Sequence, residues 1–108
     1  MILTETGQNI YPEQIEDKLN NLPLVAESLV LEHGGKLYGL VVPDFALCEK
    51  EHIDKVKLDE IMNENLKMLN SQVAGYERLA SIIIYPNEFE KTPKRSIKRY
   101  LYDISKLV

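Results

Sequence analysis

Cysteine occurs once in the 108 residues, at Cys48, so no internal disulfide can form, and that usage fits a reducing compartment. Histidine occurs twice, and His33, Cys48 and His52 show none of the spacings by which side chains gather a metal ion. No serine or cysteine sits on a recognisable nucleophile elbow. Apolar runs stay far short of the ~20 residues needed to span a bilayer. The N-terminus lacks the charged-then-apolar pattern of a secretory leader. Internal repeats and low-complexity segments are missing too. Disulfide scaffolds, metal sites, membrane spans and exported proteins are set aside, and a cytoplasmic location is expected. What remains is 44% apolar and 28% charged, the composition of one ordinary globular domain over residues 1–108.

The net charge of −4 hides an asymmetry. Residues 91–108 hold six basic side chains against Asp103 alone, a local balance of +5, which leaves −9 on residues 1–90. A basic end on an acidic body suggests either an anionic ligand such as a phosphate near the C-terminus or a solvated basic helix face. Nucleic acid is not an expected partner, because the acidic body would repel a polyanion.

Short segments either side of Gly7 read as two small strands or an extended loop turning at the glycine. Pro12 then opens a helix to Asn21, with Glu13, Glu16 and Asp17 at its start and Tyr11, Ile15, Leu19 and Leu22 in one stripe. Two dense apolar runs, Leu24–Glu32 and Leu37–Val42, flank Gly34-Gly35, a pair that supplies the positive φ angles of a tight hairpin. Runs apolar on nearly every residue predict a sheet covered on one face and partly on the other. Phe45–Lys57 reads as a loop with a short helical turn. Leu58, Ile61, Met62, Leu66, Leu69 and Val73 mark one face of a helix over Leu58–Ala74, which Gly75 is placed to stop. Ser81–Tyr85 is a strand by β-branching, and Asn87–Ser96 a loop. Ile97, Leu101 and Ile104 predict a terminal helix to Lys106. The sum is an α+β domain: a small mixed or antiparallel sheet with about three helices packed on it.

Two segments are more specific than their surroundings. One is Gly7-Gln8-Asn9-Ile10-Tyr11-Pro12-Glu13-Gln14-Ile15-Glu16; the other is Glu90-Lys91-Thr92-Pro93-Lys94-Arg95-Ser96-Ile97-Lys98-Arg99. Separately they read as a glycine turn leading into a helix and a proline loop entering a basic segment. In this order and at this separation, the chain resembles the small C-terminal domain of the adenylate-forming superfamily of acyl-CoA synthetases, luciferases and peptide-synthetase adenylation domains. Pro23–Ser28 and Gly75–Arg78 resemble further segments of that domain. The ending Ile97–Tyr102 is similar to the long-chain fatty acid–CoA ligase branch.

The resemblance implies a domain that rotates on a large N-terminal adenylating domain, serving ATP-dependent, AMP-forming activation of a fatty acid and then its transfer to coenzyme A. ATP and coenzyme A are then substrates of the parent enzyme, with Mg2+ expected there and neither nucleotide bound tightly by this domain alone. By position, Gly7 is the glycine of the coenzyme A channel, with Gln8 and Asn9 beside it. In the family's lysine loop, Thr92-Pro93, Ile97 and Arg99 match, while Ser96 stands where the family has lysine. A serine hydroxyl carries no charge and cannot replace an ammonium. Lys98 and Lys94 are the flanking candidates for that role. The chain has no phosphate-cradling loop of its own, so a cloned fragment or a separately encoded small domain is expected, inactive by itself. The alternative of another class is a stand-alone binding or regulatory module that docks on a separate protein.

Overall fold

The structure is a computed structural model that describes residues 2–4, 7–94 and 97–102. Two short strands, β1 (Ile2–Leu3) and β2 (Asn9–Ile10), pair antiparallel around Gly7. Helix α1 (Pro12–Leu19) follows, then β3 (Val25–His33) and β4 (Lys36–Pro43). A short helix α2 (Phe45–Lys50) and the long α3 (Lys55–Gln72) connect to β5 (Leu79–Ile84). The main sheet has the order β3-β4-β5. β3 runs antiparallel to β4, from Val25 opposite Pro43 to His33 opposite Lys36. β5 runs parallel to β4, from Leu37 opposite Leu79 to Val41 opposite Ile84. The sheet is therefore mixed, and the α+β reading holds.

Gly34 and Gly35 carry φ of 60° and 78°, the double positive turn that matches the twist of two paired strands. Alternation along the strands sorts side chains between two cores. Val30, Leu37, Val41 and Leu79 face α1 and α3, meeting Ile15 and Leu19 of the first helix and Leu58, Met62 and Leu69 of the second. Leu29, Leu40 and Val42 face the other way, under Phe89, Tyr85, Ile97 and Tyr102 of the C-terminal segment. Both faces are covered, as continuous apolar runs require. Among the described residues no helix is long and apolar enough to cross a membrane.

Several boundaries differ from the sequence reading, each for a local reason. The first strand begins at Val25, since Leu24 is buried with φ of 63°, outside any strand conformation. Tyr11 is 45% exposed and precedes α1, so the buried stripe starts at Ile15. Phe45–Lys50 forms a true helix because the Asp44 carboxylate accepts the Leu47 N–H at 3.1 Å. Asp54 does the same for Lys57 at 2.8 Å, which starts α3 three residues before Leu58. That helix ends at Gln72, ahead of Gly75, whose backbone opens a 3-10 turn with no positive φ. Asn70, within the last turn of α3, fastens the start of β5, accepting the Leu79 N–H at 2.9 Å and donating to the Leu79 carbonyl at 3.1 Å.

The terminal helix expected from Ile97 is the main correction. Ile97 pairs antiparallel with Lys91, the Lys98 N–H donates to the Glu90 carbonyl at 2.8 Å, and among the described residues only Arg99–Leu101 coils, as a 3-10 turn. Tyr102 is extended, with its hydroxyl accepting the Glu90 N–H at 2.7 Å. Ile97 and Tyr102 bury their side chains over the outer face of the sheet, and that burial outweighs a helical spacing. Residues 103–106 of that expected helix lie outside the described residues.

Candidate functional site

The first candidate loop is closed by Thr4. Its N–H donates to the Gln8 carbonyl, its carbonyl accepts from Gly7 N–H at 3.0 Å, and its hydroxyl accepts from Gln8 N–H at 2.9 Å. Gly7 has φ of 88°, and a Cβ built there meets no atom within 4 Å. The backbone angle, and no neighbour in this chain, asks for glycine at that position. Gly7, Gln8 and Asn9 are all exposed, while Ile10 and Ile2 anchor the hairpin in the core shared with α1 and α3. A cleft of about 700 Å³ lies beside it, bordered by Ile2, Thr4, Lys36, Tyr76 and Arg78.

The second candidate loop, residues 90–99, is tied at both limbs. Lys91 pairs with Glu27 of β3, whose other oxygen accepts the Phe89 N–H at 3.3 Å. Tyr85, Phe89 and Tyr102 stack as a cluster of rings with centroids 5.0 to 5.6 Å apart. On the far limb, Arg99 donates to Oε1 of Glu16, and Glu13 stands 3.8 Å from the same guanidinium nitrogen. Oε2 of Glu16 accepts the Val30 N–H at 2.8 Å. Glu16 is 7% exposed, and burial pushes its carboxyl above the ordinary value of 4.5 against the opposing pull of Arg99 and the Val30 amide.

Lys98 is half-buried on the tied limb and Lys94 is exposed at the turn. Neither ammonium has a hydrogen-bond or ion-pair partner among the described residues. Ser96 lies outside the described residues. Sequence reasoning placed Lys94, Lys98 and Arg99 in one segment but missed the Glu16–Arg99 pair, which joins the two motifs across 83 positions. Glu16 lies next to the stripe of Ile15 and Leu19, and only the structure shows that it is buried with them.

The Gly7 hairpin packs into the helix-covered core. Ile97 and Tyr102 of the second segment pack on the opposite face of the sheet, while Arg99 between them reaches Glu16 of α1. Cys48 is buried, and burial, with the Asp44 and Glu51 carboxylates, pushes its thiol up, away from nucleophilic use. Among the described residues no three His, Cys, Asp or Glu side chains gather to hold a metal ion.

A family description, the AMP-binding enzyme C-terminal domain, matches residues 1–102. No curated protein matches the sequence. Solved structures with similar folds include the fatty acyl CoA synthetase of Mycobacterium tuberculosis, at 20% identity and TM-score 0.65 over 94% of this chain. The adenylation domain of the carboxylate reductase of Mycobacterium chelonae gives 17% identity and TM-score 0.76 over 93%. ATP-bound MatB from Rhodopseudomonas palustris gives 23% and 0.65 over 94%. The chain spans only 17% to 18% of the length of these three.

Proposed function

Because the chain belongs to the AMP-binding enzyme C-terminal domain family, we propose that it serves as the small mobile domain of an ATP-dependent, AMP-forming ligase that joins a long-chain fatty acid to coenzyme A. Its partner is a large adenylating domain, and its setting is the cytoplasm. The observation that carries this reading is that the Gly7 hairpin is anchored in the helix-covered core while Ile97 and Tyr102 anchor the second motif on the other face of the sheet. A single site on a partner domain can meet one loop or the other only if this domain turns between them, a hinge motion suited to two successive half-reactions.

Adenylation develops negative charge on the carboxylate, the α-phosphate and the departing pyrophosphate, and a positioned cation stabilises it. Lys98 is the first candidate, since it stands on the limb fixed by Arg99 and its ammonium is uncommitted among the described residues. Lys94, exposed at the turn, is the second. ATP would find no phosphate cradle among the described residues, and its binding would fall to the partner domain. In the thioester step, Gly7 would let backbone approach the thin pantetheine arm with no Cβ in the way, while Gln8 and Asn9 offer polar groups beside it. Lys36 and Arg78 in the adjoining cleft supply charge suited to the phosphates of coenzyme A.

The test compares pyrophosphate release by the full-length enzyme, Ser96→Lys and Lys98→Ala. An unmodified enzyme slow in adenylation, made about a hundredfold faster by Ser96→Lys, supports the loop assignment. A large loss in Lys98→Ala shows that Lys98 carries the charge. If the unmodified enzyme is fast and neither change moves its rate by more than about twofold, the assignment fails. The uncharged Ser96 alone favours the second reading, a regulatory module that docks on a separate protein. That reading gains if neither half-reaction is found in the full-length protein.

A further inference from the structure

We propose that Arg99 is a positioning residue for the limb that carries Lys98, acting through the buried carboxylate of Glu16; this rests on the functional reading above. Among the described residues, that limb joins the one before it by one bridge, Lys91 to Ile97, and one further backbone bond, Lys98 to Glu90. A pairing that small does not hold its place in water unaided. Its first limb is fixed by Lys91 on Glu27 and by the packed ring of Phe89, 3% exposed. The limb that carries Lys98 has Ile97 and Tyr102 packed on the sheet, and Arg99 as its one charged tie among the described residues.

Glu16 is built to hold that tie. One oxygen is fixed by the Val30 amide of β3, which leaves the other aimed at Arg99 with little rotamer freedom. Burial makes the carboxylate costly without a cation, so the pair forms wherever Glu16 is ionised. Glu13, 65% exposed and 3.8 Å from the same nitrogen, adds attraction without competing for the buried oxygen. Arg99, one residue along the chain from Lys98, is thereby held on the middle of α1, which ties the limb carrying Lys98 to the body of the domain.

Hydrogen exchange and half-reaction kinetics on the full-length enzyme test this with Arg99→Ala, Arg99→Lys and Glu16→Gln. Arg99→Ala is expected to speed exchange of the Lys98 amide about tenfold while the β4 amides keep their protection. Adenylation kcat should fall about tenfold at unchanged KM for ATP, with transfer from preformed acyl-adenylate unaltered. Glu16→Gln should do the same, and Arg99→Lys, which keeps the charge, should recover most of the loss. Unchanged Lys98 exchange in both Arg99→Ala and Glu16→Gln overturns the proposal, as does an equal fall in both half-reactions. An unmodified enzyme that adenylates nothing refutes the functional reading instead, and exchange alone then decides whether the tie holds the limb.

Discussion

Replacing Gly7 with alanine separates a turn residue from a channel residue. The glycine has φ of 88°, where an L-residue is strained by about 1 kcal/mol. A Cβ there meets nothing within 4 Å, so no steric cost inside this chain is added. Alanine also restricts the unfolded chain, which returns about 0.5 kcal/mol. The net loss is therefore about 0.5 kcal/mol, and at about 4 °C per kcal/mol the melting temperature should drop only about 2 °C. If backbone at Gly7 lines the thioester channel, the same methyl group intrudes on the substrate, and misplacing reacting groups by an ångström costs about a hundredfold. Thermal melting followed by circular dichroism, with the two half-reactions assayed separately on the full-length enzyme, reads both effects. Adenylation should be unchanged and thioester formation slowed about a hundredfold. A small drop in melting temperature with both half-reactions intact would refute the channel role and leave Gly7 as a turn.

Asn65, 1% exposed on α3, donates to the Pro23 carbonyl at 2.8 Å. Asn65→Asp keeps the shape but sets an acceptor against an acceptor, and should cost about 3 kcal/mol by urea unfolding near neutral pH, less in acid where the carboxyl can donate. Glu16 binds its proton more tightly folded than unfolded, because burial raises its pKa from 4.5. Its contribution should therefore weaken as pH rises through that raised value, and Glu16→Gln should flatten this slope in unfolding measured between about pH 4 and pH 7. The 108-residue chain alone should bind ATP no better than about millimolar by calorimetry, since isolated contacts supply only a few kcal/mol; micromolar affinity would contradict it.

Periodicity carried the helices and strands whose sequences are locally decisive. The Gly34-Gly35 turn, the α3 stripe and the doubly covered sheet were all legible, because apolar spacing and positive φ leave few alternatives. Leu24 was not, since its left-handed backbone is imposed by tertiary packing and nothing in a leucine announces it. The C-terminal segment misled for a related reason. Ile97 and Leu101 have helical spacing, yet the pairing of Ile97 with Lys91 and the burial of Tyr102 are long-range choices. Residues 90–99 stood out as a motif, while the Glu16–Arg99 tie depends on a fold that brings distant positions together. Charge asymmetry hinted at an anion near the C-terminus without showing which cation is free to meet it.

The central claim is that this domain serves both halves of one ligation by turning between two faces. Carboxylic-acid-dependent exchange of pyrophosphate into ATP, measured with coenzyme A-dependent thioester release, tests it most directly. The parent enzyme that carries this domain is compared with its adenylating domain alone. The account expects fatty-acid-dependent exchange and thioester release in the full-length protein, with both lost or severely slowed when the domain is removed. Exchange and thioester release that proceed equally well without the domain, or no exchange with any carboxylic acid, would contradict it.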